Sequence, residues 1–173
     1  RHPAEVTHPR QGDADQAVRQ QLLHRQQSLR EELQRQKTLG ERRYTELSRQ
    51  IGEMEQELRQ LAGEVETARS RVKLAETDLA RFRELNASKF ISAQQLQQKT
   101  DEWLDQQSRL QSAERSYTAL KREKGKLSDE LASLTLRTNS QNAQLERDLA
   151  QLSQETSEQA ARSEIVIRAP RDG

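Results

Sequence analysis

Few side chains in this sequence could carry chemistry. His2, His8 and His24 are the only imidazoles, and there is no cysteine, which excludes thiolate nucleophiles, disulfides and sulfur-ligated metals. His2 and His8 lie in a proline-containing stretch without helical period, and His24 has no carboxylate partner at ligand spacing on its face. That pattern does not make a metal site. Gly52, Gly63 and Gly125 stand alone within helical pattern rather than in a phosphate-binding loop. No paired carboxylates converge on a pocket, because two packed helices enclose none. The expectation is a protein that is not an enzyme and takes no cofactor. What remains is contact chemistry. Between Arg81 and Gln95, Phe90 and Ile91 stand side by side in an otherwise polar turn, near Arg83 and Lys89. An exposed apolar pair with basic neighbours suggests a docking surface. The competing reading is structural: Ser92 caps a helix, Leu85 closes a seam opposite Ala93, and Arg81 is a surface residue.

The elements that must position this turn follow from composition and periodicity. Of 173 residues, 31% are hydrophobic, 33% charged and 3% aromatic, and the mean hydropathy is −1.12. A globular core draws on a larger apolar share, whereas a coiled coil needs only its a and d positions. Disorder is disfavoured because 29 basic and 28 acidic residues nearly cancel and the apolar residues are periodic. A net charge of +1 gives no electrostatic footprint for nucleic acid. No apolar run has the length of a membrane span, and no signal peptide is visible. A start at Arg1 and a stop at Gly173 inside a turn-like stretch suggest a fragment of a longer protein.

Residues 1–12, with Pro3, Pro9 and Gly12, read as an extended lead-in, and Asp13 as an N-cap with Gln16 three residues on. The first arm, 13–87, carries a stripe from Leu47 through Ile51, Met54, Leu58, Leu61, Val65, Ala68, Val72, Ala75 and Leu79 to Phe82, spaced alternately four and three apart. Nearer the N-terminus, Gln36, Gly40 and Tyr44 are four apart, a stutter that locally unwinds a supercoil. The tip is 88–92, and Ser92 with Gln95 reads as a capping box opening the second arm, 93–162. That arm keeps the alternation through Leu96, Trp103, Leu110, Tyr117, Leu127 and Leu134, with polar Lys99, Gln106 and Lys124 filling gaps. It carries a doubled step of four from Gln141 through Leu145 to Leu149.

Folding the chain about the tip pairs residues whose numbers add to 178: Phe82 with Leu96, Ala75 with Trp103, Met54 with Lys124, Gly40 with Thr138 and Gln26 with Leu152. One sum serves both arms, and the two stutters fall about a heptad apart. Two unrelated helices would have no reason to share this register. The expected fold is all-α, a long antiparallel coiled-coil hairpin of roughly 100–110 Å. The small, polar level around Lys37, Gly40, Thr138 and Gln141 predicts a bend or break near 39–42. Glutamine- and arginine-rich outer faces read either as solvated surface or as lateral packing against neighbouring copies. Residues 163–173 change character: Ile165, Val166 and Ile167 predict a short strand, and Pro170 to Gly173 a turn.

Arg81, Leu85 and Ser92 stand at the spacing Arg-x-x-x-Leu-x-x-x-x-x-x-Ser, which resembles the tip signature of periplasmic adaptor proteins, also called membrane fusion proteins. In that family the hairpin is inserted between two halves of a lipoyl-like domain. Ile167, Ala169, Pro170, Asp172 and Gly173 resemble the start of the second half, written I-x-A-P-x-D-G. The two motifs lie about 75 residues apart, joined by one helical arm. The resemblance implies a homo-hexameric adaptor bridging an inner-membrane transporter to a TolC-like outer-membrane duct. Arg81, Leu85 and Ser92 would be the duct-contacting residues, with Lys89 and Phe90 beside them. The long arms are similar to the HlyD type of type I secretion systems, which serve ABC transporters, and the first arm is most similar to colicin-V-type adaptors. Adaptors of multidrug efflux pumps remain an alternative. The parent would be anchored in the inner membrane of a Gram-negative bacterium with the hairpin in the periplasm. The rival class is a structural coiled-coil arm, of an SMC-like protein or a tRNA-binding synthetase. The first would carry a hinge domain at the turn and the second a basic stripe.

Overall fold

The computed structural model describes the backbone of residues 8–168 and the side chains of residues 12–166. Two helices account for nearly all of it: α1, His8–Ala87, and α2, Ala93–Arg168. They form two units, one combining α1 up to Tyr44 with α2 from Ser133 onward, the other spanning Thr45–Ala132.

In the Thr45–Ala132 unit, Leu58, Val65, Val72 and Leu79 are buried, one every seven residues. Met54, Leu61, Ala68, Ala75 and Phe82 are half-buried between them, and Leu96, Trp103, Leu110, Tyr117 and Leu127 are half-buried on α2. This is the expected heptad stripe, with α1 supplying its more deeply covered side. Each buried leucine or valine contributes about 1.5–3 kcal/mol relative to exposure. The seam lysines keep their stems inside and their charges out, whereas Gln106 Oε1 is buried without a partner. The Lys99 ammonium lies 4.9 Å from the Phe82 ring centroid and 3.2 Å from Glu102 Oε2, so a long side chain covers apolar surface while its charge stays wet. Lys124 reaches Glu55 at 3.3 Å and Arg69 reaches Glu114 at 3.6 Å across the helix pair.

In the other unit the seam is more polar. Leu134 and Leu152 are buried, and so is Gln26. Gln26 Nε2 donates to Ser153 Oγ at 2.5 Å, and Lys37 pairs with Glu146 at 3.5 Å. A Cβ built on Gly40 would stand 2.7 Å from Thr138 Cγ2, so the helices approach closely where the sum of 178 places these two opposite each other. Gln26 with Ser153 and Gly40 with Thr138 run in opposite chain directions, which makes the pairing antiparallel.

Several expectations are corrected. Of the bend or break expected at 39–42, the break does not occur, because α1 continues through Gly40. A helical glycine costs about 1 kcal/mol relative to alanine, and here the missing side chain makes room for Thr138. Gln141 is exposed and Asn142 turns inward instead. The doubled step of four on α2 is therefore Leu134, Thr138, Asn142, which the sum of 178 sets against Tyr44, Gly40 and Gln36, with Gly40 in close approach to Thr138. The two stutters share one level rather than lying a heptad apart. Tyr44 sits at the rim of the seam, 52% exposed. Residues 8–12 are helical, not an extended lead-in, and Asp13 lies inside α1 rather than at its cap. Pro9 is accommodated in the first turn, where its missing N–H has no helical partner to lose. Residues 163–168 belong to α2. The strand expected from Ile165, Val166 and Ile167 does not form, since no strand is present among the described residues to complete its ladder and a helix satisfies the backbone internally. The rest of the lead-in, residues 1–7, and the turn at 169–173 lie outside the described residues.

Candidate functional site

The connection between the helices is residues 88–92, and both of its ends are closed by capping motifs. At the end of α1, Phe90 N–H donates to the Leu85 carbonyl at 2.9 Å and Lys89 N–H to the Asn86 carbonyl at 2.9 Å. These 6→1 and 5→2 bonds define a Schellman motif. Its left-handed position is usually glycine, but here it is Lys89, with φ of 66°. Holding an L-residue there costs on the order of 1 kcal/mol. Asn86 Nδ2 donates to the Ile91 carbonyl at 3.4 Å, steadying the far side of the turn.

At the start of α2 the capping box forms as expected. Gln95 N–H donates to Ser92 Oγ at 3.1 Å, and Ser92 N–H donates to Gln95 Oε1 at 2.9 Å. Replacing such a cap by alanine typically costs about 1 kcal/mol. Both polar groups of Ser92 are thus engaged inside the turn.

The signature residues separate by environment. Arg81 is exposed on the last turns of α1, Leu85 is half-buried and Ser92 is exposed but internally bonded. Phe90 is 79% exposed, and Lys89 beside it is exposed. Ile91 is half-buried, so the expected exposed apolar pair is a single aromatic ring. Among the described residues Arg81, Arg83 and Lys89 have no ion-pair partner. The Schellman geometry was the part missed in the sequence. Its signal was available: an apolar residue five after another at a helix end, Leu85 and Phe90, is the side-chain pairing that accompanies the motif.

Elsewhere, His24 is exposed on α1. No group of three or more His, Cys, Asp or Glu side chains that could hold a metal occurs among the described residues. No helix among them is long and apolar enough to cross a membrane. The surface depressions are open grooves along the helices, one of them lined by Ala62, Val65, Arg69, Glu114 and Tyr117. No family model matches the chain, and neither a curated protein nor a solved structure matches it.

Proposed function

We propose that the chain is the hairpin of a periplasmic adaptor subunit of a type I secretion system. In this reading it links an inner-membrane ABC transporter to a TolC-like outer-membrane duct for export of a protein or peptide. The observation that carries the reading is the tip. Two long helices meet through residues 88–92 alone, capped at both ends, with Arg81, Leu85 and Ser92 at the adaptor spacing and exposed basic and aromatic side chains at the turn. A hinge domain of the SMC kind has no room there. The working assembly is a homo-hexamer of the full adaptor, with the tips toward the duct and the transporter engaged by other domains. Residues 163–168 join a lipoyl-like sheet once a neighbouring strand offers its edge, as their β-branched run favours.

Arg81 gives the cleanest test because it lies off the seam and makes no capping bond. Arg81→Asp in the full adaptor is expected to abolish export while helical circular dichroism stays at the wild-type level. Export at the wild-type rate would remove Arg81 from the interface and with it the main support for the docking reading.

A further inference from the structure

The signature residues and the exposed residues of the tip are not the same set, and the geometry divides their labour. Ser92 spends its hydroxyl and its N–H on Gln95. Leu85 is half-buried, and its carbonyl accepts the Phe90 N–H. Both hold the turn in shape. Lys89 and Phe90 do the opposite. Lys89 occupies a left-handed position where glycine would be the less strained choice. Phe90 has the highest exposure of the large apolar side chains among the described residues. Strain retained next to unused apolar surface marks a contact element rather than a turn optimised for stability.

We infer that Lys89 and Phe90 make the primary contact of the tip, and that the surface they fit on the partner is an apolar recess with an acidic rim. The charge of the tip fixes the second half of that statement. Residues 81–98 contain Arg81, Arg83 and Lys89 against the lone carboxylate of Glu84, a local excess of positive charge on a chain whose net charge is only +1. None of those three cations is neutralised by an ion pair among the described residues. An exposed aromatic ring on a tip that carries three unpaired cations seats best in a pocket of opposite sign, with Phe90 as the anchor that excludes water. Leu85 and Ser92 then act as positioning residues, by setting the direction in which Lys89 and Phe90 project.

This assignment rests on the docking reading above, and one binding experiment tests both separately. Wild type, Lys89→Gly, Phe90→Ser, Ser92→Ala and Arg81→Asp variants of the full adaptor are titrated against a TolC-like duct held in nanodiscs, with thermal midpoints recorded in parallel. Lys89→Gly is expected to raise the midpoint and yet weaken binding tenfold or more. Phe90→Ser should weaken it at least as much with the midpoint unchanged. Ser92→Ala should lower the midpoint while the folded protein binds within about threefold of wild type. Wild-type binding retained by Lys89→Gly and Phe90→Ser overturns the assignment and leaves the docking reading intact, as does a tenfold or larger loss on Ser92→Ala at a temperature where it is folded. Absence of binding by the wild type overturns the docking reading, and this assignment with it.

Discussion

The two units of the hairpin are built from the same two helices and solve different problems. The Thr45–Ala132 unit carries a near-continuous apolar stripe, with Leu58, Val65, Val72 and Leu79 buried at heptad spacing. The other unit buries Gln26 as well as Leu134 and Leu152 and places Gly40 against Thr138, while buried polar atoms without a partner occur in both units, Trp103 Nε1 and Gln106 Oε1 in the first and Asn142 Oδ1 in the second. Apolar seams adhere well but discriminate weakly between registers, because a slip of one heptad exchanges one leucine for another. A buried polar pair, or a glycine that admits one side chain, is satisfied in one alignment only. The contrast is between cohesion and alignment. The ion pairs across the helices, such as Arg69 with Glu114, join half-exposed side chains and add little to either.

The largest effect that would break this contrast is in the apolar unit. Leu79, 3% exposed, is expected to lose about 2–4 kcal/mol on replacement by alanine, read as a fall in the urea midpoint. Gln26→Leu combined with Ser153→Ala in the other unit is expected to be neutral or stabilising by up to about 1 kcal/mol, because both partners of the buried hydrogen bond are replaced. A loss on this double replacement comparable to that on Leu79→Ala would mean that the polar level is a source of cohesion after all.

Glycines provide a smaller contrast with opposite signs. Gly63→Ala places its Cβ in open space and should stabilise by about 0.5–1 kcal/mol through helix propensity. Gly40→Ala puts the same atom 2.7 Å from Thr138 Cγ2, on a stiff β-branched side chain. Overpacking of this kind costs about 1–3 kcal/mol, so the net change should be destabilising, and Thr138→Ser in the same chain should recover much of it. Thermal melts of the three variants check both signs. Stabilisation by Gly40→Ala would show that the two helices can move apart at this level without loss.

The smallest effect should not distinguish the units at all. Glu32 is held below the ordinary carboxylate range, first by its hydrogen bond from Arg35 and then by that from Gln36. Glu46 is lowered by its hydrogen bond from Arg49. A carboxylate whose folded pKa is depressed stabilises the fold above its unfolded value of about 4.3 and loses that contribution as pH falls through the folded one. Glu32→Gln and Glu46→Gln should each lower the melting temperature slightly at pH 7 and converge with wild type in acid. A clearly larger shift for one variant would reveal an additional partner in that unit.

The legible and illegible parts of the sequence divide along physical lines. The Leu47 to Phe82 stripe was readable because burial follows a fixed spacing of apolar residues, and the Ser92/Gln95 box because its chemistry is local. The inward position of Asn142 was not, since Gln141 and Asn142 are both polar and hydropathy cannot choose between neighbours. The small, polar level around Gly40 predicts a bend or break, but a level that looks weak by hydropathy is one where the absent side chain lets Thr138 pack closely, and the helix runs on. Ile165 to Ile167 were read as a strand from side-chain shape, but strand preference is a property of a sheet rather than of a segment. At the tip, the positive φ of Lys89 was hidden because glycine is the residue that announces such a conformation.

Two matched contacts in one unit also couple the lengths of its two helical segments. A seven-residue insertion between Gln26 and Gly40 would keep every seam residue on the buried face. It would nevertheless prevent Gln26 from meeting Ser153 while Gly40 meets Thr138. Only an insertion of the same length between Thr138 and Ser153 would bring both matches back. The two segments can therefore lengthen or shorten only together, and the distance between these levels is a quantity written twice in the same chain.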